Sequence, residues 1–202
     1  MNGICPLITL DKTYLLSDSS SSRICYIHPL DNGKIIKINR PERKGRSIDF
    51  NAKEFEAYQA MSDRLKAFFP KCYGYIDTNL GKGLVFERII DCAEYEDKAK
   101  HFPPILTKLI TSRSPLLTRE LLDKLKEFFT LLEKEKICSN SLQPENIAVQ
   151  TMENGNTRII STDCKLTEHR EFIPVCHIPF FLKMKIRRRA KRTLDLVAQN
   201  IA

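Results

Sequence analysis

A chain of 202 residues, 42% of them hydrophobic, is long enough for one large domain or for two small lobes. Its 33 lysines and arginines outnumber 25 acidic residues, giving a net charge of +8, and no apolar run approaches the ~18 residues of a membrane-spanning helix. The start, Met1-Asn2-Gly3-Ile4-Cys5-Pro6, lacks the charged and apolar regions of a secretory signal. The seven cysteines (Cys5, Cys25, Cys72, Cys92, Cys138, Cys164, Cys176) are scattered, odd in number and free of any C-x-x-C pair. They point to reduced thiols in a cytoplasm rather than to a disulfide framework or a zinc site. His28, His101, His169 and His177 lie too far apart to form a metal pattern.

In chain order, a short apolar run at Leu7–Leu10 leads to Leu15-Leu16 and then to the polar turn Ser17-Asp18-Ser19-Ser20-Ser21-Ser22. Ile24–His28 is rich in β-branched and aromatic residues and reads as a strand. Asn32-Gly33 signals a tight hairpin, and Lys34–Ile38 is the returning strand. Past a polar, arginine-rich loop, Asp49 is placed to cap a helix over 50–67, in which Phe55, Tyr58, Met61 and Leu65 recur at helical spacing. Glu54 falls on the inward side of that helix, one turn before Tyr58. Pro70 ends it, and Cys72–Ile76 and Leu84–Ile90 read as two more strands around the turn at 79–83. Strands, one helix and strands again make an α+β lobe.

The stretch Glu94–Ser114 is poorly patterned. Thr118 can cap the next helix, where Leu121, Leu122, Leu125, Phe128, Phe129 and Leu132 form the clearest amphipathic stripe in the chain. Lys134 and Lys136 suit its C-terminal end. The loop Ser141-Leu142-Gln143-Pro144-Glu145-Asn146 follows, then a strand at Ile147–Val149, a turn at Glu153–Asn156 and a strand at Arg158–Ser161 that ends near Asp163. Near the C-terminus, seven basic residues and no acidic ones fall between 183 and 192: Lys183, Lys185, Arg187, Arg188, Arg189, Lys191 and Arg192. They account for nearly all the net charge and leave the rest of the chain close to neutral. Such a run suits contact with a polyanion. It also suits a solvated helix that packs Ile186, Leu194 and Val197 inward, which is the favoured reading.

The loop at 141–146 and the strand after it resemble the catalytic loop of protein kinases, with Ser139, Asn140 and Ser141 standing where that family has His, Arg and Asp. The kinase Asp accepts the substrate hydroxyl proton and the kinase Asn holds magnesium. Ser141 therefore stands at the position of the base and Asn146 at that of the metal ligand. By the same resemblance, Lys37 in Ile35-Ile36-Lys37-Ile38 matches the lysine that pairs with nucleotide phosphates, and Glu54 matches its ion-pair partner. The resemblance further implies that Glu87 falls in the hinge between lobes and that Asp163 is the second magnesium ligand. The implied fold is an α+β, kinase-like two-lobed chain with a truncated C-lobe: an N-lobe over 1–90, and over 91–202 a reduced, mainly helical C-lobe with a basic end. ATP and magnesium are the implied cofactors. The departure is in the phosphate-binding loop, where 17–22 has no glycine and Asp18 would repel phosphate.

More specifically, the chain resembles the bacterial YrbL family, the kinase-like proteins of the PhoP regulatory network, over nearly its whole length. Cys25-Tyr26-x-His28-Pro29, the Ile-Lys-Ile strand at 36–38, Ser-Leu-x-Pro-x-Asn at 141–146 and Phe172-Ile173-Pro174 with the basic tail carry the resemblance. The function it implies is that of a regulatory pseudokinase, able to bind nucleotide but without efficient phosphotransfer. An atypical active kinase or small-molecule phosphotransferase is the alternative, because positioning and metal electrostatics supply most of phosphoryl-transfer catalysis. A polyanion-binding module built on the tail is a third reading.

Overall fold

The computed structural model describes residues 7–18, 20, 22–41, 49–92, 102–137, 143–162 and 178–201. They form a mixed α+β chain of two compact units, one comprising 1–59 with 71–88 and the other 60–70 with 89–202.

The first unit is a five-stranded antiparallel sheet in the order β1-β2-β3-β5-β4. Its strands are β1 (Leu15–Ser17), β2 (Arg23–His28), β3 (Asp31–Asn39), β4 (Cys72–Thr78) and β5 (Gly81–Glu87). Because side chains alternate along a strand, the register Tyr26↔Ile36↔Val85 puts these residues on one face, where they bury with Ile8, Leu10 and Ile38. The opposite face carries Arg23, Cys25, Lys37, Leu84 and Phe86. Against it packs α1 (Phe50–Ala60), through Phe55 on Tyr75 and Tyr58 edge-on to Phe86.

Three local expectations change. The fifth strand runs over Gly81–Glu87 rather than Leu84–Ile90, so the turn before it is Asn79-Leu80 alone. The β2–β3 reversal occurs at Pro29-Leu30, not at Asn32-Gly33. Asp31 Oδ1 accepts the Gly33 amide at 2.9 Å, and the pairing slips from Ile27↔Ile35 to His28↔Asp31, so Asn-Gly sits in an irregularity of the ladder. Nor does one helix run over 50–67. It stops at Ala60, and Ser62 caps a separate short helix, α2 (Asp63–Lys66), by accepting the Leu65 amide at 3.2 Å. Ser62 has extended backbone angles there and its own amide donates to Glu135 at 2.9 Å, which takes it out of any helical ladder. The chain thereby leaves the first unit at residue 60 and returns at 71.

In the second unit, α3 (Leu106–Thr111) and α4 (Arg119–Lys134) precede the hairpin β6 (Ile147–Thr151) and β7 (Thr157–Ser161), and α5 (Pro179–Ala198) closes the chain. Thr118 caps α4 through the Leu121 amide, as its sequence predicts. All six residues of the predicted stripe are buried, with Phe128 packed on Phe68 and Phe69. Segment 89–92 is fastened to β6: Gln150 Nε2 donates to the Ile90 carbonyl at 2.8 Å and the Thr151 amide donates to Asp91 at 2.7 Å. No helix among the described residues is long and apolar enough to cross a membrane.

Candidate functional site

Strand alternation and one helical turn together assemble a buried charge cluster in the first unit. Lys37, two residues before the end of β3, points to the face that α1 covers. Its Nζ donates to both carboxylate oxygens of Glu54, at 2.9 and 3.2 Å. Glu54 is 1% exposed and Lys37 9%. Arg23 enters from β2 on the same face, where Cys25 pairs with Lys37 and Arg23 with Asn39, and its guanidinium also donates to Glu54 Oε2. Asn51, one turn before Glu54, donates to the Lys37 carbonyl at 2.8 Å and accepts from Arg23 at 3.4 Å. The Lys37 ammonium stands 4.1 Å from the centre of the Phe86 ring, a cation–π distance.

Two cations thus face one carboxylate, and the cluster carries one positive charge in excess. Burial alone would push the Glu54 carboxyl up. The charges of Lys37 and Arg23, with their hydrogen bonds, outweigh that and hold it below its ordinary value. Cys72, on β4 and so beyond β5 from Lys37, shifts the other way: burial, then the Glu54 charge, push its thiol up. Arg23 and Asn51 were not anticipated from the sequence. The signal for Arg23 was its even spacing from Cys25, which is legible only once the β2–β3 register is known.

Glu87 ends β5, paired with Lys34 and so on the face opposite Lys37. Its carboxylate accepts the Lys71 amide at 3.0 Å. In the polar turn between β1 and β2, Arg40 donates to the carbonyls of Asp18 and Ser20, while Ser20 Oγ accepts the Ser22 amide at 3.3 Å. That turn is braced by side chains where the sequence offers no glycine.

In the second unit Asn146 closes a single 3₁₀ turn, Pro144–Asn146, immediately before β6. Thr162 donates to its carbonyl through both the amide, at 2.9 Å, and Oγ1, at 3.2 Å. The hairpin register Ile147↔Ser161 brings position 162 beside position 146. Asp163 follows Thr162 in the chain. It lies outside the described residues, as do Ser141 and Phe172-Ile173-Pro174. Among described residues no group of three or more His, Cys, Asp or Glu forms a metal cluster.

The basic run becomes part of α5, and the helix sorts its charges. Ile186 and Val197 are fully buried and Leu194 half-buried, with the helix lying along α4. Lys185 is buried with them, and Lys183 and Arg189 are half-buried. Arg187 is exposed but held bidentate by Glu133, whose carboxyl that bond lowers. Arg188, Lys191 and Arg192 are exposed.

No curated protein matches the chain. The family model described as PhoP regulatory network protein YrbL matches residues 8–201, so the chain belongs to the YrbL family of PhoP regulatory network proteins.

Proposed function

We propose that this YrbL-family protein is a kinase-like regulatory pseudokinase of the cytoplasm, one that binds nucleotide and does not transfer phosphate efficiently. The observation that supports this best is the buried Lys37–Glu54 pair, at 2.9 Å, on a strand and helix in the order that kinases use. A lysine fixed by a helix glutamate is held ready for phosphate oxygens. With Arg23 also on Glu54, the cluster keeps a surplus positive charge that suits an anionic ligand. By the kinase resemblance, Lys37 would hold ATP by its phosphates. Asn146 and Asp163 would hold the magnesium, which would supply charge neutralisation. The chain's own part is to position and to screen. Ser141 stands where kinases carry a carboxylate base, and a serine hydroxyl is far too weak a base to take that carboxylate's part in accepting the substrate proton. The glycine-free turn at 17–22 is a second, separate handicap, because its Ser22 amide is already engaged by Ser20 Oγ and the Asp18 carboxylate would repel phosphate.

The test is phosphotransfer from labelled ATP to generic protein and small-molecule acceptors, for wild type, Ser141→Asp and Asp163→Asn. The proposal expects no more than background turnover in all three. Robust wild-type transfer that Asp163→Asn abolishes would overturn it in favour of an atypical kinase.

A further inference from the structure

The outward face of α5 is built in two halves. Inward go Leu182, Ile186, Ala190 and Val197, at helical spacing. The opposite side of the first two turns carries Phe180, Phe181 and Met184, which are 67%, 43% and 52% exposed, and Ile178 just before the helix is 39% exposed. The two phenyl rings stack edge to face at 5.6 Å and form one apolar knob. On the same side, one to two turns later, come the exposed cations Arg188, Lys191 and Arg192. Asp195 is the one carboxylate on that side of the helix, and Arg187 is already occupied by Glu133.

We propose that this face of α5 docks on an anionic lipid bilayer, with Phe180, Phe181 and Met184 entering the headgroup–acyl boundary and Arg188, Lys191 and Arg192 lying on the anionic headgroups. The occupant follows from two properties that must be met together. Three cations need a negatively charged surface, and large exposed apolar side chains beside them need a medium that takes apolar groups. A nucleic acid meets the first. It would meet the second by base stacking, which takes an aromatic face set in a positive groove; the groove between α4 and α5 that Arg119, Lys126 and Lys191 line has only the buried Phe129 as an aromatic, Phe180 and Phe181 lie outside it, and Met184 and Ile178 have no ring. The helix does not cross the membrane. Its inner face stays on α4, and it touches the bilayer from outside. This inference is independent of the reading of the Lys37 cluster.

The experiment is co-flotation of the full-length chain with vesicles of phosphatidylcholine alone and of phosphatidylcholine mixed with phosphatidylglycerol, at low and high salt. The expected result is retention on the anionic vesicles alone, weakened by salt. Replacing all three cations (Arg188→Gln, Lys191→Gln, Arg192→Gln) should weaken it about tenfold or more. The double change Phe180→Ser, Phe181→Ser should do so by about tenfold at unchanged charge. All five side chains are exposed, and circular dichroism checks that each variant keeps its helices. Three outcomes would overturn the proposal: no wild-type retention on anionic vesicles, which requires no variant at all; retention that the Phe180 and Phe181 changes leave intact; or self-association or single-stranded nucleic-acid binding that these changes abolish while no vesicle binding is seen.

Discussion

Glu54 is the residue on which the first unit's charge balance turns. Removing Lys37 leaves Glu54 with Arg23, one charge against one. Removing Glu54 leaves two buried cations facing each other across the same space. Lys37→Met is therefore expected to cost about 1–3 kcal/mol, the worth of charged hydrogen bonds. Glu54→Gln should cost about 3–5 kcal/mol, as for a buried charge stripped of its partner. Urea unfolding of the two variants measures the order, and equal losses would show that Arg23 does not share the carboxylate. The lowered Glu54 carboxyl also fixes a pH dependence. A carboxylate depressed in the folded state stabilises it above the ordinary value near 4.5, and that contribution fades as pH falls through 4.5 toward the lowered folded value. Between about pH 5 and 3 the unfolding free energy of wild type should consequently fall more steeply than that of Glu54→Gln.

Among the elements, those with a strong period were legible and those set by a single side-chain hydrogen bond were not. The α4 stripe repeats Leu and Phe at helical spacing behind a threonine cap, and the structure buries all of it. β2 and β3 are rich in β-branched residues and fall close to where the pattern puts them, whereas β5, with Val85 as its one β-branched residue, begins three residues before the expected Leu84 and ends three before Ile90. The break between α1 and α2 was hidden because Phe55, Tyr58, Met61 and Leu65 continue the helical period straight through Ser62. What stops the helix is the Ser62 amide turning to Glu135, 73 residues away, which no local pattern records. The Asn-Gly reversal failed for a similar reason: the Asp31 side chain captures the Gly33 amide and moves the turn upstream. Of the charge cluster, Lys37 and Glu54 were readable from strand and helix order, whereas Arg23 and Asn51 depend on register. Register also explains Gly83 in β5. A Cβ there would collide with the Ile36 methyl and press on Ile38 at 3.0 Å. Gly83→Ala should destabilise by about 1–3 kcal/mol, as overpacking does. A denaturation midpoint unchanged from wild type would mean that the sheet yields at this position.

At the scale of the whole molecule, the proposed pseudokinase reading rests on a buried charge cluster and on a serine, Ser141, where kinases carry a carboxylate. The first is built from four side chains on three elements, all buried and mutually bonded. Burying two cations with one carboxylate is costly unless something is gained by it, and an anionic ligand that binds the folded state returns stability through mass action. That gain is directly measurable. In a thermal-shift titration with ATP and magnesium, wild type should be stabilised progressively with ligand concentration. Lys37→Ala should show a much smaller ligand-dependent shift measured from its own unliganded midpoint. A flat wild-type titration, or a Lys37→Ala shift as large as that of wild type, would contradict nucleotide binding at this cluster.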